Sequence, residues 1–378
     1  MTGNKKLGFG LMRLPLSNPK DPASIDIERT CRMVDYFIEQ GFTYFDTAWM
    51  YCNYASEKAV KKVLCERHPR DSFTLATKLH AGYFNTIEDC EKIFCEQLQK
   101  TGAGYFDYYL LHDLSYDNYQ KCSQIDVFSF VRAKKEAGLV KHIGFSFHDS
   151  PERLDEILTK HPEMEFVQLQ INYLDWNSPA IRARECYETA RRHGKPIIVM
   201  EPVKGGTLAK LPDEAEAMLK AERPDMSVVS WALRFAASLD GVMAVLSGMS
   251  TEEQVEENTK LFSGTEKLSE KEIKLLERAV EIFNSDPFIP CTGCSYCTDG
   301  CPMNIPIPKY FSLYNADRQE VKTKGWLPQQ EYYDNLTRDH GAASECIECG
   351  QCNGICPQHL NVIKNLKEVA DYFETQDD

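Results

Sequence analysis

The sequence predicts an α/β fold in which eight parallel strands, each followed by a helix, close into a barrel, with a small helical domain behind it. Three observations carry this. From Leu7 to about Phe262 short apolar runs alternate with amphipathic ones, the pattern of repeated strand–helix units on a parallel sheet. No GxGxxG follows any strand-like run, so an open dinucleotide-binding sheet, the alternative arrangement, lacks its usual mark. Beyond Asn284 the composition changes, and eight cysteines crowd into two short runs.

The strand candidates are residues 7–10, 43–47, 74–78, 107–112, 142–147, 166–172, 196–201 and 243–247. Between them, Ile27, Cys31, Val34 and Ile38 share one helical face, and Gly41 ends it. Ser56 is placed to cap a helix carrying Ala59, Val60, Val63 and Leu64; Asn85 or Thr86 is placed to cap one carrying Ile87, Cys90, Phe94 and Leu98. Gly138 and Gly194 stop two later helices. Eight such units over about 255 residues fit a TIM (β/α)8 barrel. Residues 268–283 read as one more helix leading away from it, and 284–290 as a boundary. The expected domains are 1–284 and 285–378.

Composition narrows the function classes. The 378 residues are 43% hydrophobic, enough for a full core. A net charge of −14 argues against nucleic acid; solubility, or a basic redox partner, accounts for it. No stretch approaches the roughly 18–20 apolar residues that span a bilayer, and MTGNKKLGFG does not read as a signal peptide. A cytoplasmic protein is expected, with no membrane partner.

Residues 291–302 read CTGCSYCTDGCP and 346–357 read CIECGQCNGICP. Each has three thiols in CxxCxxC register, a fourth after three more residues, and then a proline. Zinc knuckles and disulfides are other uses of clustered thiols, but this run resembles the ligand run of bacterial ferredoxins. The long spacer, with 307–316 and 361–373 helical in pattern, is similar to the α-helical two-cluster modules. That resemblance implies two 4Fe-4S clusters. One takes Cys291, Cys294, Cys297 and Cys356; the other takes Cys346, Cys349, Cys352 and Cys301 if the fourth cysteine of each run crosses over, uncrossed ligation being the alternative. The other seven, Cys31, Cys52, Cys65, Cys90, Cys95, Cys122 and Cys186, show no metal spacing and suit a reducing compartment.

In such barrels the reacting groups sit at the C-terminal ends of the strands. Asp46 and Tyr51 follow the second strand, Lys78 ends the third and His112 ends the fourth. A tyrosine can protonate a carbonyl oxygen when an ammonium beside it lowers its pKa and a carboxylate holds that ammonium. Singly, each residue also reads as a cap, a packed ring, a solvated lysine or a core histidine. Together they form one constellation.

At these residues the chain resembles the aldo-keto reductases. The match runs through GFGLMRLP, FDTAWMY with Ser56 and Glu57, Thr77–Lys78, LLH at 110–112, GFSF at 144–147, QLQIN at 168–172, EPVKGG at 201–206 and SGMSTEEQVEEN at 247–258. With the cysteine-rich end, the resemblance is to the ferredoxin-tailed members. It implies Tyr51 as general acid, Lys78 and Asp46 as its tuning pair, His112 as substrate orienter, and a small carbonyl substrate. It implies NADP or NAD lying across the barrel top. Ser146 and Gln168 would hold the carboxamide, Gly205 and Gly206 would pass the pyrophosphate, and Gly248, Gln254 and Asn258 would hold the adenosine end.

Several positions depart from the family pattern. Only six residues precede the first strand, so the hairpin that plugs the barrel bottom is missing and another segment, the tail being the candidate, is expected there. Gly248 and Gln254 replace the Lys and Arg of NADPH-selective members. Met200 replaces the stacking tyrosine, and His80 and Asp113 replace apolar aromatics, favouring a small or polar substrate. Cys52 beside Tyr51 reads as a packed thiol or a redox one, and His148 as a pocket or surface residue. Trp49, Phe147 and Trp176 read as core rings or pocket walls.

Three functions fit. The first is NAD(P)H-dependent reduction of an aldehyde or ketone, with the clusters structural. The second is one-electron transfer between a ferredoxin-like carrier and a barrel-bound flavin or nicotinamide, although no flavin motif is visible. The third is a non-catalytic redox sensor.

Overall fold

Alternation with period two puts every second strand residue inside, and strands paired in chain order close on themselves. The computed structural model describes residues 5–264, 267–320 and 328–375. Its eight parallel strands form a closed barrel: β1 (Leu7–Gly10), β2 (Tyr44–Asp46), β3 (Thr74–His80), β4 (Phe106–His112), β5 (Val140–Phe147), β6 (Phe166–Gln170), β7 (Ile197–Met200) and β8 (Val242–Gly248). Leu7 of β1 pairs with Val245 of β8 to complete the ring. The strand ends differ from the sequence expectation by no more than two residues. The outer ends of the two expected domains, 1–4 and 376–378, lie outside the described residues.

Capping follows the sequence in part. Thr86 and Asp89 form a reciprocal cap on the helix Ile87–Thr101. Ser56 does not cap its helix; its hydroxyl donates instead to Leu11 O at 2.9 Å and meets Thr47 Oγ1 at 2.8 Å. Burial explains the difference, because the hydroxyl is enclosed between β1 and β2, where unpaired polar atoms are costly.

The barrel interior corrects one expectation. Tyr44, Tyr108 and Phe166 belong to a separate inner cluster with Ala76, Leu110, Ile198, Ala244 and Leu246. The Tyr108 ring packs 5.4 Å from Tyr44, 5.1 Å from Phe166 and 5.0 Å from His142. These rings lie near the strand starts, so the barrel's own aromatic side chains fill the end that the tail was expected to cover. The fit is close: a methyl group on Gly144 would lie 2.5 Å from the carbonyl oxygen of Phe166.

The tail sits at the opposite end. Its helices Ile307–Gln319, Pro328–Asp339 and Val362–Phe373 share a core that includes Ile305, Tyr310, Phe311, Tyr333, Leu366 and Phe373, and also Ala180, Ile181 and Ala183 of the barrel. Its polar contacts fall on loops that follow strands. Ser115 Oγ, after β4, donates to Glu331 Oε1 at 3.0 Å. Asn335 Nδ2 donates to His148 O, after β5, at 3.0 Å. Lys204 Nζ, after β7, lies 2.8 Å from Glu320 Oε1. The cysteine-rich end of the chain therefore packs on the C-terminal face of the barrel. Among the described residues no helix is long and apolar enough to cross a membrane.

The helix Glu270–Phe283 leads to the tail and is capped by Ser269 and Glu272. Glu272 also pairs with Arg234 at 2.7 Å, both side chains being buried. Burial disfavours the Glu272 carboxylate, but Arg234 and the Ser269 donors outweigh it and bring its pKa down to about 2 from 4.5. A depressed carboxyl stabilises the fold fully above its unfolded pKa, and that contribution is lost as pH falls through the folded one. Glu272→Ala should destabilise the protein by about 3–5 kcal/mol, because Arg234 is left buried without its main partner. Urea unfolding followed by circular dichroism measures this. The difference from the parent should persist down to about pH 4.5 and shrink toward pH 2.

Candidate active site and two cysteine cavities

The inner-face register delivers three of the expected groups to one place. Asp46 ends β2, Lys78 lies in β3 with Ala76 opposite Asp46, and His112 ends β4 opposite His80. The Lys78 ammonium, fully enclosed, pairs with Asp46 Oδ1 and donates to Thr47 O at 2.8 Å. It lies 4.9 Å from the centroid of the Tyr51 ring, and that ring meets the His112 ring edge-on at 5.9 Å. The four groups that the sequence singled out are thus brought together at the barrel mouth.

Behind β3 a polar network holds Lys78 in place. Thr77 Oγ1 and Gln97 Nε2 donate to the buried Glu57 Oε1 at 2.8 and 2.7 Å. Gln97 also donates to Lys78 O at 3.0 Å and accepts from Tyr109 at 2.7 Å. Gln97 was missed by sequence reading; its only signal is a polar residue on an otherwise apolar helix face.

Electrostatics distinguishes the groups. Burial raises the Tyr51 phenol above its ordinary value, and Lys78 pulls it back only in part. In the protein alone the effect of burial thus exceeds that of the neighbouring ammonium. Burial would lower Lys78, but Asp46 and Tyr51 outweigh it, so the ammonium stays charged. His112 is held well below its ordinary value by burial, then by Lys78, His80 and His148. Its buried Nδ1 has no hydrogen-bond partner among the described residues.

The surrounding residues sort themselves. His80 Nδ1 accepts from Gly82 N at 2.9 Å, which leaves Nε2 carrying the proton in the neutral ring, and the ring lies 5.5 Å from His112. His148 is buried beside the tail's Tyr332, 6.2 Å between rings. Cys52 lies in a run of left-handed residues, Cys52 to Tyr54. Its thiol donates to Met12 O at 3.4 Å, and burial pushes its pKa up to about 11, which favours the packed-thiol reading. Trp176 packs on Tyr187 and Phe235 at 5.4 Å each as a core ring, Phe147 is buried in the same core, and Trp49 lies under Lys100.

The expected cofactor positions lie in or after β5 to β8. Ser146 and Gln168 are neighbours across β5 and β6. Ser146 Oγ accepts from Asp113 N at 2.8 Å. Gln168 Nε2 donates to Met200 Sδ at 3.4 Å, while its buried Oε1 lacks a partner among the described residues. Gly205 and Gly206 both have positive φ, 62° and 107°, and Gly205 N donates to Glu201 Oε2 at 2.5 Å. Gln254 is spent on its own loop, accepting from Ser250 N at 2.7 Å, and Asn258 donates to Ser247 Oγ at 3.1 Å. Arg13 was not anticipated. It lies between the two glycine positions: a methyl group on Gly205 would come 3.5 Å from its guanidinium, and one on Gly248 would come 3.3 Å from its Cδ. The arginine in GFGLMRLP was its signal.

The eight tail cysteines border two small cavities. The first is lined by Cys291, Cys294, Cys297 and Cys356. The second is lined by Cys301, Cys346, Cys349 and Cys352, with Cys297 also on its wall. The fourth cysteine of each run thus lies with the first three of the other. Among the described residues no three His, Cys, Asp or Glu side chains converge on a point suited to a single ion; the thiols line two concave sites.

Comparison with known proteins agrees with this geometry. Residues 290–361 match the 4Fe-4S dicluster domain. An uncharacterized oxidoreductase of Bacillus subtilis, YqkF, is 25% identical over 276 residues, covering 65% of this chain and 85% of the relative. An uncharacterized oxidoreductase of Schizosaccharomyces pombe, C215.11c, is 26% identical over 264 residues, covering 68% and 80%. The aldo-keto reductase AKR11C1 from Bacillus halodurans, in its holo form, superposes with a TM-score of 0.59 at 24% identity, covering 72% of this chain and 91% of that one. An aldo-keto reductase from Klebsiella pneumoniae in complex with NADPH gives 0.58 at 18%, covering 72% and 90%; both superpositions show the shared fold. Residues 6–281, most of the chain, match the aldo/keto reductase family model, and the protein therefore belongs to that family, an oxidoreductase with a 4Fe-4S domain at its C-terminal end.

Proposed function

We propose that the protein reduces a small, polar aldehyde or ketone with NADPH or NADH, using Tyr51 as general acid, and that its tail carries two 4Fe-4S clusters. One observation carries the reading: a buried, charge-paired Lys78 beneath the Tyr51 ring, with His112 edge-on to it. A bound reduced nicotinamide supplies the hydride. The Gln168 Oε1 that lacks a partner suits the carboxamide amine, and Ser146 can donate to its oxygen. Arg13, between the Gly205 and Gly248 loops, suits the pyrophosphate, and Gly205 and Gly206, with no side chains, let it pass close to the backbone.

Tyr51 then passes its phenolic proton to the carbonyl oxygen. Lys78, held by Asp46, stabilises the phenolate left behind. Neutral His112 can donate one hydrogen bond to the same oxygen and so orients the carbonyl. His80 presents an N–H beside it, and this polar lining favours hydroxylated substrates over apolar ones.

The position of the tail supports a second reading, exchange of electrons between the clusters and a barrel-bound group. Clusters move one electron at a time and hydride moves two, so this reading also requires a flavin. The assignment of each cluster to Cys291, Cys294, Cys297 and Cys356, and to Cys301, Cys346, Cys349 and Cys352, rests on the two cavities.

Three outcomes are expected from anaerobically purified protein. Metal and acid-labile sulfide analysis should return about eight irons per chain; zinc without sulfide overturns the cluster reading. Tyr51→Phe should lower kcat/KM for carbonyl reduction by about 10²–10⁴-fold while leaving NADPH affinity within twofold, and unchanged turnover removes Tyr51 from its role. The Tyr51 pKa is raised and the His112 pKa depressed, so kcat/KM should be level through pH 6.5 and fall only as pH rises past about 10. EPR after adding NADPH decides between the two readings: reduced clusters favour the second, and clusters that stay oxidised during turnover favour the first.

A further inference from the structure

The tail helix Ile307–Gln319 touches both sites. At its start Ile307 lines both cysteine cavities, and Pro308 and Phe311 line the first. Its 13 residues cover roughly 20 Å at 1.5 Å each. At the far end stands its capping residue, Glu320, whose Oε1 lies 2.8 Å from Lys204 Nζ. Lys204 is 2% exposed, and its other partner is the barrel's Asp175 at 2.7 Å. One buried ammonium is therefore shared by two carboxylates, one from each part of the chain. Gln329 of the next tail helix donates to the same Glu320 oxygen at 2.5 Å, and Gln170 and Asn172 hold the second oxygen of Asp175.

Lys204 is also part of the loop that ends at Gly205 and Gly206. Four of the six residues 201–206 have left-handed backbone: Glu201, Lys204, Gly205 and Gly206. Two of these are not glycine, and such conformations persist only where the surroundings impose them. Here the constraint comes from Glu201 accepting the Gly205 amide and from the Lys204 ammonium, which cannot leave its carboxylates without a large desolvation cost. Removing Glu320 leaves that ammonium with Asp175 alone.

We propose that Glu320 is a positioning residue for the 201–206 loop, so that the tail sets the shape of the pyrophosphate site and the cysteine cavities and the nicotinamide site influence each other's binding. The proposal rests on the nicotinamide reading above. Linkage makes the effect reciprocal: whatever the tail does for nicotinamide affinity, bound nicotinamide does in return for the tail.

The test uses full-length holoenzyme, purified anaerobically. Glu320→Gln keeps the size of the side chain and removes its charge. Its dissociation constants for NADPH and NADH, from fluorescence titration, should rise about tenfold, within the usual range of such couplings. The value of kcat at saturating nicotinamide should stay within twofold, and the cluster EPR signal should keep its intensity. In the parent protein, NADPH added to dithionite-reduced enzyme should change the cluster EPR line shape; in Glu320→Gln it should not. If that variant loses its clusters, Gln329→Ala, which frees Glu320 without touching Lys204, should show a smaller loss of affinity in the same direction. Equal affinity in variant and parent, with clusters intact, overturns this proposal alone. A parent that binds neither NADPH nor NADH overturns it together with the proposed function.

Discussion

One ammonium in the enclosed centre of a barrel sets the terms for everything around it. Lys78 has no contact with solvent, and a buried cation survives only if charge and hydrogen bonds are supplied on the spot. Asp46 supplies the charge and Thr47 O a further acceptor, and both come from the end of the neighbouring strand. The opposite face of β3 is equally committed, because Thr77 points outward into Glu57 and Gln97. A slip of one residue would exchange the two faces, placing Lys78 against Glu57 and emptying the mouth. The polar shell outside the barrel therefore protects the chemistry inside it.

The same logic explains why Tyr51 is placed by a loop and not by a strand. Three successive left-handed residues follow it, a conformation that costs free energy. The loop is held by the Cys52 thiol on the β1 loop carbonyls and by Ser56 reaching Leu11 and Thr47. The ring thus rests on Lys78 because the backbone behind it has little freedom.

Strands were legible because their signal is local: apolar runs of five or six residues between turn signals need no distant partner to be recognised. The cysteine runs were legible for the same reason, since ligand spacing is written along the chain. The four groups gathered at the barrel mouth were legible through their position at or just after strand ends. Ser56 was misread because a helix cap and a strand-bridging hydroxyl look alike until burial is known. The resting place of the tail was not legible at all. Glu320, Glu331 and Asn335 are ordinary polar residues on helices, and only the fold reveals that their partners follow β7, β4 and β5. Arg13 and Gln97 were passed over for a similar reason, each acquiring meaning from neighbours far away in sequence.

The character of the seam matters for how the two halves of the chain work together. A contact meant only to shield apolar surface would bury apolar side chains, and part of this one does, through Ala180, Ile181 and Ala183. Yet it also buries Lys204 with two carboxylates, and it places Glu331 beside Asp113. Burial raises Asp113 well above the usual carboxylate range, and Glu331 adds to the shift. Buried polar contacts of this kind contribute little net stability but are strict about geometry. Asp113 follows His112 directly and its amide donates to Ser146, so the carboxyl that Glu331 influences is one residue from the mouth itself. Apolar contact alone could have seated the tail anywhere on the barrel. The polar contacts, which tolerate little misalignment, fix it instead over the loops that follow β4, β5 and β7, beside the mouth where Lys78, Tyr51 and His112 meet.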